Sequence, residues 1–331
     1  MRRRRIFAVI CILALALGAG YFLHHGATAG HAAHPDSSPA VDTGTPTPQS
    51  APEIDAATIA HKQSTHRVTS SAPLPPPGTP LKDTYAELKA RADAGDGQAA
   101  SRLVHDMEKC SWIAKMKLFL PQTLPSALGG NDKKLTAEEL SWREKSLGHY
   151  QKELDLIHNN EAFCAGLDQK EFDTLTPNLL RAAQLGDTWA TDCYLSSGVT
   201  GMQGLLDHPE WLAEFKQNAM PLARAAIENG DWVAVGIMEH AYGGFFSDFI
   251  SQVTGTDLAQ RYRYLSLQRF GASGDFTAKL DEQISGITPN LSMDQIADGD
   301  AWAQEMYARH FDGTSSNGLS NGTNVCQMSD N

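Results

Sequence analysis

Five cysteines stand in the chain, and four of them, Cys110, Cys164, Cys193 and Cys326, lie beyond the apolar leader that holds Cys11. An even number of thiols behind an export signature points to cross-linking rather than to metal binding or nucleophilic attack. Cys110 follows the first helical hairpin, and Cys164 follows a long helix that must fold back on it. These two ends of one inserted segment are therefore expected to form a disulfide. Cys193 lies between Asp192 and Tyr194 inside a helical pattern and reads as a free, buried small side chain. Cys326 sits in a polar tail and could join it only if that tail docks.

Other reactive side chains form no constellation of adequate spacing. His24, His25, His31 and His34 are imidazoles of the kind that bind zinc, copper or nickel, but no carboxylate or thiolate is fixed beside them. They read as a solvated tract, and neither a metal nor another cofactor is expected. In "HNNEAFC" (158–164) Glu161 could serve as an acid, yet Asn159 and Asn160 fit the end of a helix better. There is no His-Glu-x-x-His, Gly-x-Ser-x-Gly, Ser-x-x-Lys or phosphate-binding glycine loop, so the chain is not read as an enzyme. Carboxylates brought together from distant helices are the exception such a search misses. The alternative function is accordingly a helical periplasmic enzyme acting on peptidoglycan. Two convergent carboxylates of raised pKa in a cleft would favour it; a shallow ridged face would favour a binding scaffold.

The elements that must position these residues begin with "MRRRRIFAVICILALALGAGYFLHHG", in which four arginines precede an uncharged run from Ile6 to Leu23. Residues 1–26 read as a signal anchor in the inner membrane, or as a signal peptide cleaved near Ala27 and Ala29. Either reading puts the body in the periplasm, because the arginine cluster stays cytoplasmic. Residues 27–80 hold ten of the 16 prolines among Ala, Ser, Thr, His and Gly, the composition of a disordered linker. The body spans 81–312, and a flexible polar tail follows over 313–331. The formal net charge is −12 even with the basic leader included, and no Lys/Arg stripe interleaves with aromatics, which argues against nucleic acid as a partner.

Within the body the apolar spacing is helical throughout, so the fold class is all-α. "AGDGQAA" (94–100), "LGDTWAT" (185–191), "NGDWVAV" (229–235) and "SGDFTAK" (273–279) repeat Gly-Asp-x-x-Ala. Gly95, Gly186, Gly230 and Gly274 supply the left-handed residue that closes one helix; Asp96, Asp187, Asp231 and Asp275 open the next. Gly186, Gly230 and Gly274 are 44 residues apart, and Gly95 lies close to two periods upstream. Equal spacing is the signature of a repeat. In the first hairpin Tyr85, Leu88 and Ala92 share one face, and Ala99, Leu103 and Met107 share the facing one.

The stretches "RAAQLGDTWATDCYLSSG" (181–198) and "RAAIENGDWVAVGIMEHAYGG" (224–244) resemble Sel1-like repeats, relatives of the tetratricopeptide family. In that family an Ala-Ala pair leads into Gly, and the second helix ends on Tyr-x-x-Gly; here Tyr194 with Ser197-Gly198, and Tyr242 with Gly243-Gly244, stand in those places. The resemblance covers residues 82–110 and 178–285. It implies an irregular α-solenoid of stacked hairpins and, with it, a membrane-tethered scaffold that binds another protein, of unknown identity, through a groove.

Between the first two copies lies a departure from the repeat, with a helix expected from Ala137 to His158. Thr136 and Glu139 form its capping box, and Leu140, Leu147, Tyr150, Leu154 and Ile157 form a stripe expected to pack on the body. Ser292 and Gln295 open a last helix carrying Trp302, Tyr307 and Phe311, read as an end cap on the stack. Trp189 and Trp232, just after their Gly-Asp turns, read as wedges between hairpins rather than as recognition residues.

Overall fold

A computed structural model describes residues 72–128, 135–197, 207–244, 249–317 and 325–326, with the backbone alone for 122–128. The leader with Arg2–Arg5 and Ile6–Leu23, the four histidines, residues 27–71 of the linker and most of the tail lie outside the described residues. No helix among the described residues is long and apolar enough to cross a membrane.

The regular elements of the body are helices: α1 (Leu81–Asp93), α2 (Gly97–Leu128), α3 (Ala137–Cys164), α4 (Gln169–Phe172), α5 (Leu175–Gln184), α6 (Thr188–Ser197), α7 (Glu210–Glu228), α8 (Trp232–Tyr242), α9 (Ser251–Thr254), α10 (Leu258–Gly271), α11 (Asp275–Ile287) and α12 (Met293–Met306), followed by one wide turn over Tyr307–Phe311. Four antiparallel hairpins, α1/α2, α5/α6, α7/α8 and α10/α11, are those joined at the Gly-Asp sequences. Each hairpin packs on the next through α2 against α5, α6 against α7 and α8, and α8 against α10, and α12 then covers α10. While Leu280 and Ile287 of α11 join Tyr262 and Leu265 in a separate cluster, one apolar core runs from the first hairpin through the third to Leu267 of α10. It contains Leu88, Ala92, Ala99, Leu103 and Met107 of the first hairpin, Tyr194 of the second, and Phe215 and Met238 of the third.

Close approach between hairpins is set by small residues. The alanines three places after Asp96, Asp187 and Asp231, namely Ala99, Ala190 and Ala234, are fully buried. Gly271 carries the ring of Trp232, since a β-carbon there would come within 2.6 Å of it. Trp232 is the wedge expected from the sequence: it touches Phe311 at 4.2 Å and donates from Nε1 to Thr314 Oγ1 at 3.0 Å.

Four expectations are corrected. First, the ordered body starts before Leu81, because Leu74 packs on the core and Arg91 donates to the carbonyls of Ala72 and Pro73, both at 2.9 Å. Second, α3 opens on the expected capping box but runs through Asn159 and Asn160 to Cys164. Of its stripe only Ile157 is buried, in a small satellite core with Ile113 and Leu120, while Leu140 and Leu154 are 52% and 42% exposed. The contacts of α3 with this satellite core are made by Tyr150, Ile157 and Cys164, from its midpoint to its C-terminal end. Third, the tail is docked at its start: Ser316 is fully buried and donates to the Gln268 carbonyl at 2.7 Å. Fourth, Cys193 is not free. It is joined to Cys326, with a Cα separation of 4.9 Å, because the C-terminal segment returns to α6. The other pair is the expected one, Cys110 with Cys164, at a Cα separation of 5.3 Å. Two disulfides are compatible with an oxidising compartment.

Candidate functional site

The first three Gly-Asp turns share one backbone geometry. At Gly95, Gly186 and Gly230, φ is +99°, +88° and +82°, and the chain closes each helix in the same way. The amides of Asp96, Asp187 and Asp231 donate to the carbonyls of Arg91, Ala182 and Ala226 at 3.0, 3.0 and 3.1 Å. This is the double closure of a Schellman motif, and it leaves the aspartate positioned to cap the next helix. Asp96 Oδ1 accepts from the amides of Gln98 and Ala99, Asp187 Oδ1 from Ala190, and Asp231 Oδ1 from Val233 and Ala234.

The fourth copy has the letters without the device. Gly274 has φ +61°, Asp275 is already inside α11 and accepts no capping bond, and Ala278 is exposed. α11 packs on α10 alone among the main helices, so nothing stacks on its outer face to require a small residue.

Two grooves flank the second turn. One, of ≈ 550 Å³, lies between the start of α2 (Gln98, Ser101, His105) and Gly186-Asp187. The other, of ≈ 450 Å³, lies between Gly186, Thr188 and Thr191 on one side and Asn229, Asp231 and Trp232 on the other. His105 stacks on Trp189 with ring centroids 4.0 Å apart, and its Nε2 is 4.0 Å from Asp187 Oδ2. Trp189 is half-buried against the core and carries the ring of His105, which lines the first groove.

Electrostatics distinguish the turns. Asp96 is buried, which opposes its charge, but Arg91 at 2.7 Å and the two amides hold its carboxyl below the ordinary carboxylate range. Asp231 is raised by burial, despite its own two amides. Behind it stands Asp192, 4% exposed, pushed up to about 8 by burial and by the neighbouring Asp231 and Asp187. Asp192 Oδ1 and Asp231 Oδ2 have no hydrogen-bond donor among the described residues, and a proton held on Asp192 would let it donate to Asp231. Asp231 belongs to the Gly-Asp repeat, whereas Asp192 lies outside it. Its signal would have been an aspartate in the apolar interior of α6, a position carboxylates occupy only when paired.

This pair brings two carboxyls of raised pKa together at the second groove, and only Asp231 faces it. Asp231 lines the second groove with one oxygen committed to α8, and Asp192 is closed off beneath it. Glu161, the other acid considered, pairs with Lys117 on the surface. No group of His, Cys, Asp and Glu among the described residues has the arrangement of a metal site.

Comparison of the chain with protein-family models, with curated proteins and with solved structures found no match.

Proposed function

We propose that the protein is a membrane-tethered scaffold exposed in the cell envelope, whose Sel1-like hairpins bind a protein partner along the turn edge. The observation that supports this reading best is the recurrence of a groove between successive hairpins, once on each side of the Gly186-Asp187 turn. Neighbouring grooves suit an extended or ridged partner surface. The two disulfides fit an exported body, and the arginine-flanked apolar leader fits a tether. A photo-crosslinking residue placed at exposed Gln98 or Thr188, in the full-length chain in intact envelopes, should trap the same partner from both positions. Trapping from exposed Lys279 on α11, with none from the two groove positions, would overturn the assignment.

The second reading, a peptidoglycan-acting enzyme, is favoured by the Asp192–Asp231 couple alone. Asp192→Asn separates the two: an enzyme would lose peptidoglycan cleavage, whereas the scaffold keeps its crosslinks.

A further inference from the structure

A third cavity, of ≈ 370 Å³ and open to solvent on one side, is lined by α7, α8, α10 and α12. This is the size of a small-molecule site, at the lower end of the usual range of roughly 300–1,000 Å³. Its walls are aromatic and thioether surfaces with two cations among them. Tyr242 and Tyr264 stack with centroids 5.9 Å apart and an interplanar angle of 12°, and Trp302 meets Tyr264 edge-on at 5.3 Å. Gly299 permits this closeness of α12 to α10, because a β-carbon there would stand 2.6 Å from the ring of Tyr262.

The cations are Arg224 on α7 and Arg263 on α10. Their neighbour Arg261 is held by Glu239 at 2.8 Å, whereas Arg224 and Arg263 have no carboxylate within ion-pair distance among the described residues. Both act on both phenols, favouring the ionised form of Tyr242 and Tyr264 against the burial that raises their pKa. In a chain of net charge −12, two guanidiniums outside any ion pair among the described residues, lining one aromatic cavity with a single carboxylate, Glu228, leave it a local excess of positive charge. Their planar forks match the two oxygens of a carboxylate, and the ring faces supply a matching surface for an aromatic group. Glu228 lines the same cavity and would repel a second negative charge, which selects against a phosphate monoester.

We propose that this cavity is a binding site for a small aromatic monocarboxylate, with the ring against Tyr264 and Trp302 and the carboxylate on Arg224 and Arg263. The site does not depend on the scaffold reading. The experiment is calorimetric titration of the full-length chain with 3-phenylpropionate, its neutral amide 3-phenylpropanamide and phenyl phosphate. The carboxylate should bind, and the amide should bind about tenfold more weakly or worse, since it offers the guanidiniums no charge. Arg224→Gln and Arg263→Gln should each weaken the carboxylate about tenfold while leaving thermal stability unchanged. Equal binding of carboxylate and amide, which needs no variant to observe, would overturn the anionic assignment. Tighter binding of phenyl phosphate would overturn the choice of carboxylate. Absence of heat from all three probes at about 10 mM would remove the site.

Discussion

The first and third Gly-Asp turns have nearly superposable hydrogen bonds and opposite electrostatics. At the first, the capping carboxylate meets Arg91; at the third, it meets the carboxyl of Asp192. The backbone motif fixes where the aspartate stands, and the neighbours arriving from other helices decide its charge. A repeated sequence can thus repeat a shape while each copy keeps its own chemistry.

The largest expected effect tests whether the glycines of the four copies are equivalent. Gly230→Ala would carry a positive φ and set a β-carbon 2.6 Å from the His310 carbonyl oxygen, a backbone atom that cannot step aside. It should cost about 3 kcal/mol in chemical denaturation. Gly274→Ala has the positive φ but nothing within 4 Å, and should cost about 1–2 kcal/mol. Equal costs would mean that the docked C-terminal turn adds nothing at the third copy.

Next comes the carboxyl couple. Asp192 has a folded pKa raised above its unfolded value, so the folded state holds the extra proton; stability falls as pH rises from about 4 and levels off above about 8. Asp192→Asn keeps a donor for Asp231 without a titrating proton. It should raise stability by about 2 kcal/mol near pH 8 and flatten that slope, as read from melting temperature against pH. Asp96 has the reverse sign. Its pKa is depressed, so its contribution is present above about 4 and lost as pH falls through the lower folded value.

The smallest pair compares caps. Asp96→Ala removes two amide bonds and the partner of Arg91 and should cost about 1–2 kcal/mol. Asp275→Ala removes only a first-turn charge and should cost about 0.5 kcal/mol or less by the same measurement.

What could be read from the sequence follows this division between local and distant causes. Gly95-Asp96, Gly186-Asp187 and Gly230-Asp231 were legible because capping is settled within a few residues. So was the box at Thr136 and Glu139. Cys110–Cys164 could be inferred because a helix returning from an insertion must end near where it began. Cys193–Cys326 could not, since its cause is a segment docking from 133 residues away. The stripe on α3 misled because periodicity states which face is apolar and not how far a neighbour extends beneath it. The cavity of Arg224 and Arg263 left no trace, since its walls come from four helices that each contribute a few residues in ordinary positions.

The Cys193–Cys326 bond also bears on how the protein would answer a pull. A chain held at its leader and drawn from beyond its last helix cannot pay out the 133 residues inside that bond, nor the 54 between Cys110 and Cys164, until the bonds are reduced. At about 3.5 Å per extended residue, the larger loop alone withholds about 460 Å of contour length. The tension passes directly between α6 and the C-terminal segment, and the third and fourth hairpins are bypassed.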